Sequence, residues 1–156
     1  MKRNITGFVI EKRDTIGKAV EYKVTFSLDI STIGYLSLTK INWTESTIGN
    51  FGFRIHPAWV NRGIGTSVLR MTILWAFDCG FSSVCVDVAA SNQRAVRCYE
   101  KIGFSTVGEI WRKAHNLKDA DLSETRYDFL RPHLRLEGEA PELRFFVMEI
   151  TARTIQ

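Results

Sequence analysis

The segment His56-Pro57-Ala58-Trp59-Val60-Asn61-Arg62-Gly63-Ile64-Gly65-Thr66 decides how this chain is read. It runs from a strand end, through a glycine-containing turn, into a helix. The first N–H groups of a helix lack internal partners and sit at the positive end of its dipole, so this arrangement suits a pyrophosphate. Gly63 and Gly65 allow close approach of the backbone, Thr66 adds a hydroxyl and Arg62 a charge. Taken alone, Gly-x-Gly is a weak signal, because a plain tight turn into a helix reads the same way. No Gly-Lys-Ser/Thr follows, which excludes a P-loop. Leu69 and Arg70 stand where a dinucleotide fingerprint wants more glycine.

A second signal lies downstream, in Asn92-Gln93-Arg94-Ala95 and Tyr99-Glu100-Lys101-Ile102-Gly103-Phe104. Ser91 or Asn92 caps a short helix whose inner stripe is Ala95, Val96, Tyr99 and Ile102, and Gly103 ends it. By spacing alone, Tyr99 reads as a core aromatic with its hydroxyl satisfied. Together the two signals resemble the GNAT superfamily of acetyl-CoA-dependent N-acetyltransferases. Val60 to Gly65 follows the family pattern Gln/Arg-x-x-Gly-x-Gly/Ala, with Val60 replacing the first polar residue. Asn92, Ala95, Tyr99, Lys101, Gly103 and Phe104 match Asn-x-x-Ala-x-x-x-Tyr-x-Lys-x-Gly-Phe, and Asn92 follows Gly63 by 29 residues.

The resemblance implies an α/β (α+β) fold of GNAT type. Its central sheet would be mixed and mostly antiparallel, of about six to seven strands with helices on both faces. It implies one domain over residues 1–156 with an acetyl-CoA-binding core at about 48–111. Acetyl-CoA is the implied cosubstrate, held by Ile55, Val60, Asn61, Arg62, Gly63, Ile64, Gly65 and Thr66, with Asn92, Ala95 and Tyr99 along the pantetheine arm. The implied acceptor is a primary amine, of a small molecule or a protein N-terminus, and Tyr99 is the implied acid facing the cofactor sulfur. Attack of an amine on a thioester expels a thiolate. With a thiol pKa near ~8.5 and a tyrosine near ~10, proton transfer is mildly uphill.

The base is the missing part. A lysine-like amine costs about 4 kcal/mol to deprotonate near neutral pH. Many family members carry a Glu on the fourth strand, but Thr47 to Arg54 holds no carboxylate. In Gly49-Asn50-Phe51-Gly52-Phe53, Asn50 stands where that Glu would be, and an amide is no base. His56 has a suitable pKa and is the catalytic candidate beside Tyr99, although a histidine before proline is also ordinary at a strand end. The thiolate or a water chain are the other routes.

Working outward, Ile5 to Ile10 and Ala19 to Leu28 read as strands, with a turn at Gly17-Lys18. Ile33 to Ile41 and Ile48 to His56 read as a hairpin with Thr44-Glu45-Ser46 at its tip. The helix opened by Gly63 runs to about Asp78. It carries one stripe of Val68, Leu69, Thr72, Ile73 and Ala76, and a second of Met71, Leu74 and Trp75. One sheet buries one stripe, so either residues 112–142 or a second copy covers the other, and a homodimer is expected. Ser83 to Ala89, Phe104 to Trp111 and Leu143 to Ile150 read as strands, and a short helix is expected around Leu122 to Leu130. The family's wall between its first two strands has only Lys12 to Lys18 available to it here.

Of 156 residues, 45% are apolar and 12% aromatic, which supports a proper core rather than disorder. The net charge of +4 is diffuse, with no basic run interleaved with aromatics, so nucleic acid is not an expected partner. Cys79, Cys85 and Cys98, without a Cys-x-x-Cys, read as reduced residues of a cytoplasmic protein with no metal site. The run Met71 to Phe77 is too short to cross a membrane. An acyl-CoA-binding module without turnover is the alternative to an enzyme. Val60, Asn50 and the short N-terminal connection favour it, and Tyr99 argues against it.

Overall fold

In the computed structural model, residues 7–13, 21–28, 31–136 and 140–154 are described. Four antiparallel strands come first: β1 (Gly7–Arg13), β2 (Glu21–Leu28), β3 (Ser31–Asn42) and β4 (Thr47–Ile55). The expected turn at Gly17-Lys18 and the start of the first expected strand lie outside the described residues. Alternation makes this meander one-sided. Val24, Phe26, Leu36 and Leu38 are fully buried, and Leu36 and Leu38 lie opposite Phe53 and Phe51.

Helix α1 (Ile64–Asp78) then crosses to β5 (Ser83–Ala89), which lies parallel to β4. Helix α2 (Gln93–Glu100) leads to β6 (Ser105–Lys113); β7 (Leu134–Arg135) and β8 (Glu142–Thr151) follow. The sheet order is β1-β2-β3-β4-β5-β8-β6, with β7 paired to β8. The sheet is therefore mixed and mostly antiparallel, as expected.

The expectation of helices on both faces meets a different arrangement among the described residues, where α1 and α2 share one face. Both helices join parallel strands that step the same way across the sheet, and right-handed crossovers place both on one side. Phe51 meets Tyr99 of α2 at 5.4 Å between ring centroids. Two and four residues on, Phe53 and Ile55 press against Gly65 of α1. Leu69, Ile73 and Ala76 of α1 join Val96 and Tyr99 of α2, and Val84, Val86 and Met148 of the sheet, in one core cluster. Full burial of each large aliphatic here contributes roughly 1.5–3 kcal/mol.

The first stripe of α1 is buried as read, and Ile64 joins it. The second is only partly covered: Trp75 packs edge-on against Tyr22, while Met71 and Leu74 stay 42% and 38% exposed. Residues 112–136 therefore do not roof this helix. No α-helix forms at Leu122 to Leu130. Short 3-10 turns stand there instead, at Thr125–Tyr127 and Arg131–His133. Asp121 accepts from the N–H and hydroxyl of Ser123, and the Arg131 guanidinium donates to the carbonyls of Leu122, Ser123 and Glu124. These local side-chain bonds compete with a helical ladder. No helix among the described residues is long and apolar enough to cross a membrane.

Candidate active site

The site begins where β4 and β5 part. They pair only at Thr47 with Ser83 and Ile48 with Val84. The strict alternation of β3 and β4 fails just there: Lys40 takes a φ of 53°, and Ile48 and Phe51, three residues apart, both face the core. Asn50 closes the apex of the gap. Its Oδ1 accepts from the N–H of Phe51 at 2.9 Å and of Asp87 at 3.3 Å. The Phe51 N–H thus points toward β5, and strand geometry turns the N–H groups of Phe53 and Ile55 the same way, into the open part of the gap. The His56 N–H, out of step with these, bonds back to Ile33 on β3.

Over this gap lies a cavity of about 490 Å³. Phe53, Ile55, Val60, Asn61, Gly63, Gly65 and Thr66 line one side, and α2 lines the other with Asn92, Ala95, Cys98 and Tyr99. The turn into α1 is left-handed at Asn61 (φ 61°) and Gly63 (φ 76°). Gly63 is the N-cap, no side chain caps the helix, and its first turn holds no acidic residue. The N–H groups of Ile64, Gly65 and Thr66 therefore have no partner from the helix or its cap. At Gly65 a Cβ would stand 3.0 Å from Ile55 Cδ1 and 3.3 Å from Phe53 Cε1, which is why α1 can lie this close to β4. The result is a donor cluster with a positive dipole, open to the cavity.

Helix α2 is built differently. Asn92 caps it, its side chain accepting from the Ala95 N–H at 3.2 Å. Val96 and Tyr99 face the sheet, and Tyr99 stacks among Phe51 and Phe104. Its ring is core, but its hydroxyl has no hydrogen-bond partner among the described residues and is not sealed from solvent. A purely structural buried tyrosine satisfies that group. Burial, with a smaller push from Cys98, raises the Tyr99 pKa to about 12. Near neutral pH the resting hydroxyl is thus protonated and can serve as a hydrogen-bond donor.

Most residues expected at the cofactor meet here: Ile55, Val60, Asn61, Gly63, Gly65, Thr66, Asn92, Ala95 and Tyr99 all line the cavity. Two expected side chains turn away from it. Arg62 lies over the Trp59 ring at 5.0 Å, and the Ile64 side chain is buried with Phe26, Ile33 and Val68. Only the backbone of Ile64 is available to a ligand. His56 is exposed and caps the 3-10 turn at Pro57–Trp59, its Nδ1 accepting from the Ala58 N–H at 3.3 Å. It does not line the cavity, so the geometry does not join it to Tyr99. Thr66 Oγ1 sits 3.4 Å from Cys98 Sγ across the slot.

Three cations to which the sequence assigned no binding role line the cavity. Arg94 and Arg97 of α2 and Lys101 at its C-cap fall on one stripe facing the cavity, which has no acidic residue among the described residues of its lining. None of the three makes an ion pair with another described residue. Their spacing at three and four residues was the available signal, hidden because such charges usually mark a solvated face. Among the described residues no group of three His, Cys, Asp or Glu side chains is placed to hold a metal ion.

The sequence pattern of the acetyltransferase (GNAT) family matches residues 13–104. A kanamycin resistance protein of Rhizobium radiobacter is 36% identical over 52 residues, a stretch that is 33% of this chain and 48% of that protein. The matched stretch thus spans about half the length of that relative. A spermidine N-acetyltransferase from Vibrio cholerae, solved with CoA and spermine, superposes with a TM-score of 0.64 at 18% identity, covering 86% of this chain and 68% of the other. A chimera of the Vibrio cholerae enzyme with hSSAT gives a TM-score of 0.62 at 18% identity, over 84% and 66% of the two chains. At these identities the solved structures bear on the fold alone.

Proposed function

This chain belongs to the acetyltransferase (GNAT) family, and we propose that it transfers an acetyl group from acetyl-CoA to a primary amine by direct attack in a ternary complex. The observation that carries this reading is Tyr99, which lines the cavity while its ring packs in the core, and whose hydroxyl has no hydrogen-bond partner among the described residues. A module that only binds acyl-CoA has no use for such a donor.

The pyrophosphate lies on the N–H groups from Asn61 to Thr66, where donors and dipole converge. The pantetheine arm runs down the gap between β4 and β5, adding its amides to the free edge of β4 beside Phe53 and Ile55. Arg94, Arg97 and Lys101 neutralise the phosphates from the opposite rim. The thioester then reaches the floor of the gap beside Tyr99. An amine adds to its carbonyl carbon, the C–S bond breaks, and the thiolate takes a hydrogen bond and finally a proton through Tyr99. The amine's own proton leaves to water. His56 has no part in this scheme, because it lies outside the cavity and its Nδ1 is committed to a cap.

The acceptor is a small-molecule amine or a protein N-terminus. The polyamine and aminoglycoside named for its relatives belong in the first panel tested. Met71 and Leu74 form the contact of a homodimer in a cytoplasmic protein. The test is release of free CoA from acetyl-CoA in the presence of that panel. Tight acetyl-CoA binding with no release for any amine would instead make this chain a binding module.

A further inference from the structure

Asp87 lies on the sheet face away from both helices, with its side chain only 9% exposed. A carboxylate so covered needs partners. Its Oδ2 takes a charge-assisted hydrogen bond from Arg112, and Lys40 stands 3.9 Å away. Its Oδ1 has no hydrogen-bond partner among the described residues, yet it is not sealed from solvent. The second acid nearby, Glu149, is turned to Cys85, whose Sγ lies 3.8 Å from it. Asp87 therefore keeps one acceptor oxygen open between two cations that retain unused donors. Arg112 is fixed in plane by stacking on Phe145 at 5.0 Å, and the Lys40 side chain is mostly exposed.

The position matters as much as the charge. The Asp87 N–H is held by Asn50, and the next residue, Phe51, meets Tyr99 on the opposite face. Asp87 and Tyr99 thus flank the apex of the same gap from its two sides. If the cofactor arm fills the helix side, a nucleophile reaches the thioester from the other face. That face carries no α-helix among the described residues.

We propose that Asp87 anchors the ammonium of the acceptor, and that Arg112 and Lys40 beside it select an amine carrying a carboxylate next to it, an amino acid rather than a polycation. This rests on the acetyl-transfer reading. One acid between two bases complements a zwitterion, whereas a polyamine would bring its second charge against Arg112 or Lys40.

The experiment compares kcat/KM for a series of α-amino acids, their carboxamides, spermidine and kanamycin, with acetyl-CoA affinity measured separately by calorimetry. Amino acids should lead the carboxamides and both polycations by at least about tenfold. Asp87→Asn should raise the acceptor KM about tenfold or more and leave acetyl-CoA affinity within about twofold, with Asp87→Glu recovering part of the loss. Lys40→Gln, at an exposed position that cannot unfold the core, should narrow the gap between acids and carboxamides. A preference for spermidine or kanamycin, or an unaltered acceptor KM in Asp87→Asn, would overturn the anchor while leaving acetyl transfer intact. Wild-type protein that fails to bind acetyl-CoA would overturn the acetyl-transfer reading and this site with it.

Discussion

Replacing Tyr99 with Phe tests the chemistry at its centre. The ring is held by Phe51 and Phe104 and by burial in the main core, so Tyr99→Phe keeps the packing and removes one hydroxyl. With the Tyr99 pKa at about 12 and a thiol near ~8.5, full proton transfer to a free thiolate would cost about 5 kcal/mol. In the proposed scheme the tyrosine would therefore act mainly as a donor to sulfur as charge develops, with the proton crossing late. A hydrogen bond to a charged group contributes roughly 1.5–3 kcal/mol. The expected fall in kcat is about 10- to 150-fold, with acetyl-CoA affinity within about twofold.

The same pKa sets two pH results. The wild-type rate should show no alkaline limb due to Tyr99 below about pH 11. Stability gives the second. The folded pKa is raised above the unfolded ~10, so the native state holds its proton longer and stability falls as pH climbs from ~10 to about 12. The loss approaches about 3 kcal/mol in wild type and is absent in Tyr99→Phe. Steady-state kinetics and denaturant melts across pH read both. Full activity in Tyr99→Phe would refute the reasoning and return Tyr99 to a core role. So would an inflection near pH 8–9 that vanishes in the variant.

Gly63→Val places a β-branched residue at a φ of 76° and a side chain over the donor cluster. Calorimetry should show acetyl-CoA affinity down at least about tenfold, and thermal melts a loss of about 1–2 kcal/mol; unchanged affinity would remove the pyrophosphate from this turn. Arg97→Gln with Lys101→Gln should weaken acetyl-CoA binding and flatten its salt dependence without altering kcat, which a titration in rising salt reads directly. If Met71 and Leu74 seat a second copy, Met71→Glu with Leu74→Glu should give a mass near 17.8 kDa by light scattering where wild type gives twice that. A wild-type mass near 17.8 kDa at micromolar concentration would sink the dimer.

The sequence alone determined the local features whose cause is local. Gly63 and Asn92 begin the two helices because one tolerates a left-handed backbone and the other caps with its side chain. The strands from Ser31 to Ile55 follow from alternation, and the inner stripe of α1 from helical spacing. Which residues line the cavity was legible in large part for the same reason, since a helix N-terminus and a tyrosine stripe each fit within a dozen residues.

The tertiary structure decided what depends on residues distant in sequence. His56 reads as a base by pKa, but its direction is set by the 3-10 turn it caps. Arg62 reads as a phosphate ligand, but Trp59 offers its ring first. The segment around Leu122 to Leu130 reads as a short helix, yet Arg131 ties the carbonyls of Leu122 and Ser123 into turns. Asp87 sits unremarkably in a β-branched strand until the sheet order brings Lys40, Asn50 and Arg112 around it from β3, β4 and β6. No periodicity encodes such a meeting. It exists only once the strands are paired, because the energy that holds a buried carboxylate comes from cations 47 residues back (Lys40) and 25 residues on (Arg112) along the chain.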